Sequence, residues 1–314
     1  MSTPGGAAVS RPSLLVSLLA EDQEYQRLQA DDARTAAARN GFAAEVVFAD
    51  NSAILQIQQL YHAIHRPSEA RPAAIVVETV VGEGLERVAR AAVQAGIGWV
   101  LINRRVSYLE NLRQNHPGLP ISNVGSDQLE VGRLQARQFR TLIGSDQGVV
   151  LYLQGPADTS AAQERRQGTT EGLAGTRIEL RVLDGDWTEA SGERAVERWL
   201  RLKTSEGVCP NLVGCQNDAM AVGAGRAFAG FSARPNLARL PRTGCDGLRE
   251  GGRRLVDMRQ LAATVITPPN TGAAVALVAR ALKTGQPAPA ELLLPPTSYP
   301  GLEELAARQV ARRG

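Results

Sequence analysis

The sequence is poor in cysteine, has no long apolar run and has no block dense in one charge. Its three cysteines, Cys209, Cys215 and Cys245, form no C-x-x-C pair and have no histidine at zinc-finger spacing. They are therefore read as small buried apolar residues rather than as a disulfide or metal framework. No apolar stretch approaches the roughly 20 residues needed to cross a bilayer, so membrane insertion is not expected. The opening "MSTPGGAAVSRPSLLVSLLAED" lacks a basic n-region, and its one apolar run reads as a first strand; as given, the chain carries no export signal. The 35 basic and 32 acidic residues are spread along the chain, without a stripe that could track phosphates, so nucleic acid is not an expected partner. Low-complexity tracts and repeats of about 20–50 residues are missing too. There is no G-x-S-x-G elbow, no G-x-x-x-x-G-K-[ST] loop and no H-E-x-x-H, and no cofactor is called for.

What is present is a regular alternation of short apolar runs and longer amphipathic ones. The runs Leu14–Leu19, Ala44–Phe48, Ala73–Val77, Trp99–Ile102, Val149–Leu153, Ile178–Leu183, Leu212–Cys215 and Ala262–Ile266 read as strands. Between them Tyr25–Asn40, Ala53–Ile64, Leu85–Ala95, Asp127–Ile143, Glu189–Thr204, Ala219–Phe228 and Thr271–Thr284 read as helices. Such alternation means parallel sheets, and continuous apolar strands mean that both sheet faces are covered. Asp127 with Glu130, and Ser160 with Gln163, fit capping boxes, while Gly41, Gly96 and Gly285 sign helix ends. The segment "NRRVSYLENLRQNHPGLPISNVGSDQ" interrupts the alternation, placing a domain boundary near Ser126–Asp127. At 314 residues the chain can build two domains of about 150 residues each.

A set of polar and aromatic residues follows the expected strands: Glu21, Asp22 and Tyr25 after the first, Asn103 and Arg104 after the fourth. Arg165 in "QGPADTSAAQER", Trp187 in "LDGDW", Asn217-Asp218 in "CQNDAMAVGAG" and Asp246 in "GCDG" complete it. Each has a plain structural reading alone, Trp187 as core filler, Arg165 as a surface charge and Asn217 as a helix cap. Together they sit where the ligand crevice of an open parallel sheet lies, outside the strand C-termini. Asn, Asp and Arg offer several directional hydrogen bonds and an aromatic face covers aliphatic C–H groups, which suits a small polyhydroxylated molecule. Gly223 and Gly225 lack dinucleotide-fingerprint spacing and read as close helix packing. His62 and His65 lack a third ligand and read as a surface pair, and His116 as a turn residue.

From Leu14 to about Pro300 the chain resembles the type I periplasmic binding proteins of the ribose- and galactose-binding kind, whose fold is shared with the sensing cores of lactose-repressor-like regulators. The resemblance rests on "AAARNGF", "AAVQAGIGWVLINR", "NVGSDQLEVG", "GPADTSAAQERRQG", "QNDAMAVGA", "GCDG" and "LAATVITPP" in order. It implies an α/β fold of two similar Rossmann-like lobes, each a parallel sheet flanked by helices, joined by three hinge crossovers. The expected lobes are 13–126 plus 268–297 and 127–267 plus 298–314, with 1–12 a disordered tail. Carried over by motif, Tyr25 would be an aromatic wall, Asn103 and Arg104 hydroxyl partners, Arg165 a clamp and Trp187 an aromatic platform. Asn217 would bond a sugar hydroxyl, Asp246 would accept, Thr267 would make a polar contact at a crossover, and Asp218 would brace the loop. The ribose-type Asp-Arg pair is Asn103-Arg104 here, and Glu21 or Asp22 is expected to supply the missing acceptor.

The resemblance implies non-enzymatic binding of a sugar-like ligand by a monomer, as the solute-binding component of a sugar ABC transport system working with a membrane permease. Family precedent places it in the periplasm; a native start without an export signal would place it in the cytoplasm. The alternative is a cytoplasmic sensor signalling through a protein partner, without a DNA-binding domain, since about a dozen residues precede Leu14. An enzyme is a third class, for which no oriented nucleophile and base is visible.

Overall fold

The computed structural model describes residues 11–313, so most of the tail expected over residues 1–12 lies outside the described residues. The chain forms two compact units, one of residues up to Gly125 with Pro269–Leu292, the other of Ser126–Pro268 with Leu293 onward. Among the described residues the strands are β1 Ser13–Leu18, β2 Ala43–Phe48, β3 Ala74–Val77, β4 Gly98–Ile102, β5 Ile121–Ser126, β6 Gln147–Gln154, β7 Arg177–Asp184, β8 Leu212–Cys215, β9 Arg242–Asp246, β10 Ala263–Ile266, β11 Glu291–Leu294 and β12 Thr297–Tyr299. They build two six-stranded sheets of matching order, β11-β5-β4-β3-β1-β2 and β12-β10-β9-β8-β6-β7. The first five strands of each unit pair in parallel, whereas β12 runs antiparallel to β10. In each unit the chain leaves its first strand to one side and later crosses to the other, which creates a switch point between β1 and β3 and between β6 and β8.

Strand side chains alternate between two buried clusters, as two-sided coverage demands. In the first unit Leu14, Val16 and Leu18 join Val76, Val100 and helix Thr271–Thr284 on one face. Leu15, Ile75, Val77 and Trp99 join the opposite face with Leu60, Val88 and Ala92. In the second unit Leu151, Leu153 and Val213 pack beneath Met220, Ala224 and Phe228, while Val150, Tyr152 and Leu212 face Phe139 and Leu173.

Two helix pairs in the second unit touch backbone to backbone. A Cβ at Gly223 would meet the Glu189 carbonyl at 1.9 Å, and one at Gly192 would meet the Met220 carbonyl at 2.3 Å. Gly132 and Gly168 are used the same way between helices Gln128–Ile143 and Ser160–Gly172. Gly223 thus serves helix packing.

Several expectations need correction. The polar segment from Asn103 to Gln128 is not a plain interruption: it contains helix Leu109–Asn115 and strand β5, whose Ser122, Asn123 and Ser126 are buried despite being polar. The helix expected over Glu189–Thr204 stops at Leu200, and a short turn of helix follows at Lys203–Glu206. Thr159, not Ser160, caps its helix, accepting from the Ala162 N–H, while the Gln163 amide donates to the Ala157 carbonyl. Asp127 accepts from the Glu130 N–H at 2.9 Å, but its own N–H donates to the Leu294 carbonyl, so only half of a capping box forms. Cys215 and Cys245 are buried as expected, while Cys209 is exposed because it lies in the loop before β8. His62 and His65 are exposed, and His65 stacks on Tyr61.

Candidate functional site

In the first unit the polar groups at the ends of β1, β3 and β4 form one buried hydrogen-bonded chain. Gln26, the third residue of helix Glu24–Asn40, accepts from the Leu19 N–H at 3.1 Å and donates to Glu78 Oε2 at 2.9 Å. Glu78 follows β3 directly and also accepts from Asn103 Nδ2, at 3.2 Å. Asn270 donates to Asn103 Oδ1 and is itself held by Gln29 through a pair of 2.8 Å bonds. Gln29, Glu78 and Asn270 are buried, so each hydrogen bond replaces one lost to water. Arg104 is buried as well, with Nη1 donating to the Val80 carbonyl at 3.4 Å.

In the second unit the centre is Arg165, 7% exposed, in the second turn of helix Ser160–Gly172. Its Nε donates to Gln128 Oε1 at 2.7 Å, its Nη1 donates to the Gln216 carbonyl, and the guanidinium lies over the Trp187 ring. Trp187 is half-buried and rests on Gly155, where a Cβ would stand 2.1 Å from Cζ2. Its turn is fixed by Asp186, whose carboxylate accepts from the Thr188 N–H and hydroxyl across the tryptophan. Burial pulls the Asp186 pKa up, but the bonds from Thr188 and Ser191 and the charge of Arg194 outweigh it and hold it below the ordinary aspartate value.

The cluster that opens helix Asp218–Ala229 is mostly structural. Gln216 accepts from the Gly155 N–H and donates to Tyr152 Oη and the Ala162 carbonyl, which uses its whole amide. Asn217 caps the helix by accepting from Met220 N–H at 2.9 Å and donates to the Trp187 carbonyl at 2.7 Å. Asp218 ties two neighbouring strand ends together, accepting from Gly247 N–H at 2.8 Å and from the Thr264 hydroxyl at 2.7 Å. Burial pushes the neighbouring Tyr152 and Cys245 up to about 12, so both stay protonated at neutral pH.

The expected residues divide by unit: Glu21, Asp22, Tyr25, Asn103 and Arg104 belong to the first, Arg165, Trp187, Asn217, Asp246 and Thr267 to the second. Glu21 and Asp22 are exposed, and it is their backbone carbonyls that accept from Arg27. Tyr25 and Asp246 are half-buried; Thr267 is buried, and its hydroxyl has no hydrogen-bond partner among the described residues. Asn103, Trp187 and Asp246 have φ of 61°, 71° and 103°, values that ordinary side chains avoid and that are found where surrounding structure imposes them, often at binding sites. Glu78 was missed by the sequence reading. Its signal is the one that points to Asn103 and Asp246, a polar residue immediately after an apolar strand.

Two α/β units, each built on a mainly parallel sheet with polar and aromatic side chains at its strand C-termini, define the class of two-unit α/β binding proteins. The chain belongs to the family described as periplasmic binding protein domain, whose model matches residues 14–287. It is 25% identical over 212 residues to the D-apiose import binding protein of Actinobacillus succinogenes, a match covering 66% of this chain and 62% of that protein. It is 28% identical over 172 residues to the D-allose-binding periplasmic protein of Escherichia coli, covering 53% of this chain and 52% of the relative. The matches thus span less than two thirds of the curated relatives' length. An ABC transporter solute-binding protein from Bacillus halodurans with bound myo-inositol shares the fold at a TM-score of 0.77 and 22% identity, covering 95% of this chain and 98% of that one. No helix among the described residues is long and apolar enough to cross a membrane.

Proposed function

We propose that the protein binds a small polyhydroxylated ligand, a sugar or cyclic polyol, without chemical conversion, as the solute-binding component of an ABC uptake system. The observation that carries the reading is the pairing of Arg165 with Trp187, a planar hydrogen-bond fork beside an aromatic face, held by a strained turn and a glycine seat. Tyr25, Asn103 and Arg104 on one unit, and Arg165, Trp187, Asn217, Asp246 and Thr267 on the other, are the proposed ligand contacts. Asn217 keeps one amide proton and one oxygen lone pair beyond its capping bonds. Three of the proposed contacts belong to the first unit and five to the second, and a ligand shifts a conformational equilibrium only by its preference for one of the states.

Apiose, allose and inositol, named for the relatives, share a ring or chain of vicinal hydroxyls, and family membership supports that chemistry and a periplasmic setting. The partners are the small molecule and a membrane permease that accepts it from the loaded protein, which acts as a monomer.

The test is a thermal-shift screen with pentoses, hexoses, cyclic polyols, nucleosides and amino acids. A ligand at 100 times its Kd stabilises the native state by about 2.7 kcal/mol. A selective shift with one polyol class that disappears in Trp187→Ala is the expected result; a shift with nucleosides or amino acids alone would replace the ligand class.

A further inference from the structure

Three loops of the second unit, 201–211, 230–241 and 257–262, lead into the N-terminal ends of β8, β9 and β10. They lie side by side, because those strands are neighbours in the sheet and stand about 4.8 Å apart. Two arginines lock the loops together. Arg234 donates through Nη1 to the Ser205 carbonyl at 2.9 Å and through Nη2 to the Val208 carbonyl at 2.7 Å, with its guanidinium over the Trp199 ring. Arg242 donates to the Ala238 carbonyl at 3.3 Å and to the Gln260 carbonyl at 3.1 Å. Residues far apart in sequence thus form one braced surface, at the opposite end of these strands from the candidate site.

That surface is basic. Lys203, Arg239 and Arg259 are exposed, and none forms an ion pair with the described residues. The acidic residues of the three loops are Glu206 and Asp257, and Asp257 accepts from the Tyr299 hydroxyl at 2.7 Å. Leu202 and Met258, each 54% exposed, are the immediate chain neighbours of Lys203 and Arg259. One exposed apolar side chain means little by itself. Two of them, each beside an unpaired cation on one braced surface, match an anionic bilayer, whose head groups take the charges while the apolar tips rest at the acyl boundary. A soluble polyanion satisfies the cations but offers the apolar tips nothing.

We propose that this end of the second unit is a peripheral docking surface for anionic phospholipid. The proposal goes beyond the binding function above and does not depend on it. Three cations and two apolar tips give weak, reversible adsorption without insertion, screened by salt. The loops are cross-braced, so the surface is presented without a folding step.

The experiment is flotation of the full chain with vesicles of equal parts phosphatidylglycerol and phosphatidylcholine, and with phosphatidylcholine alone, at low ionic strength and at about 0.5 M salt. Binding to the anionic vesicles alone, lost at high salt, is the expected result. Each cation near an anionic leaflet is worth about fivefold in partition, so Lys203→Glu, Arg239→Glu and Arg259→Glu combined should lower it at least about a hundredfold. Leu202→Ser with Met258→Ser should lower it about fivefold or more and leave the salt dependence in place. All five side chains are exposed, so thermal unfolding of both variants should match wild type and separate lost docking from lost folding. A wild type that does not float with the anionic vesicles at low salt, or a triple variant that floats as wild type does, overturns the proposal. Equal flotation with phosphatidylcholine alone overturns it too, by removing the role of charge. Binding to duplex DNA as tight as to the vesicles, and untouched by Leu202→Ser with Met258→Ser, would put a soluble polyanion in place of the bilayer. Each of these outcomes leaves the ligand-binding function standing.

Discussion

The guanidinium of Arg165 stands 5.4 Å from the centroid of the Trp187 ring while Nε and Nη1 donate to Gln128 and to the backbone of Gln216. Three elements of the second unit meet on one side chain, and only a planar fork serves two acceptors and a ring face together. Arg165→Lys keeps the charge but leaves at least one buried acceptor unserved. We expect it to lower stability by about 1–3 kcal/mol in urea denaturation and to weaken polyol binding. A variant with wild-type midpoint and affinity would show that the fork geometry of Arg165 is not needed.

Gly155 sets the height of the indole. In Gly155→Ala the new methyl would occupy the space of Cζ2 and Cε2, at 2.1 and 2.3 Å, so Trp187 must lift off. The cost of such overpacking is about 1–3 kcal/mol. Trp187 emission should shift on substitution, and the thermal shift given by the preferred polyol should shrink; unchanged emission and affinity would mean that the ring does not need this seat.

Acid should loosen the same turn. The Asp186 pKa is depressed below its ordinary 3.8, so the stability it contributes is present above that value and is lost as pH falls through the lower folded pKa. Asp186 is largely exposed, so the effect is modest. The melting-temperature gap between wild type and Asp186→Asn should be constant from pH 7 to about 5 and close below about 4. A gap that persists to pH 2.5 would show that the turn does not depend on the ionised carboxylate.

Asp218 is expected to matter for folding more than for ligand. In Asp218→Asn the amide nitrogen must face either the Gly247 N–H or the Thr264 hydroxyl, two groups that now donate to the carboxylate. Loss of one charged acceptor in a buried site costs about 2–3 kcal/mol. Equilibrium denaturation should report that loss, with affinity measured well below the new transition remaining near wild type.

How far the sequence could be read follows from burial. Strands such as Leu212–Cys215 are apolar on both faces and announce themselves, and helix Thr271–Thr284 ends at a left-handed glycine where the pattern stops. β5 and β9 stayed hidden because "ISNVGS" and "RTGCD" are buried through hydrogen bonds and small size, which hydrophobic periodicity cannot see. Thr243 and Gly244 in β9 are buried, and a Cβ at Gly244 would meet Asp218 Oδ1 at 2.0 Å. At the candidate site, residue type and strand-end position singled out Arg165 and Trp187. The partners that hold them, Gln128 and Gly155, are distant in sequence and carry no local pattern. The bracing role read for Asp218 agrees with its bonds, and the link between Glu78 and Asn103 is seen only in three dimensions.

The thiols make the protein its own reporter. Cys209 lies open at the entry to β8 while Cys215 and Cys245 are sealed within the sheet, where burial keeps them protonated. A maleimide dye therefore attaches at one site in the native protein and at three once it unfolds. That gives a single-site fluorescent conjugate without any substitution, and the count of modified thiols after brief exposure becomes a direct clock for opening of the second unit.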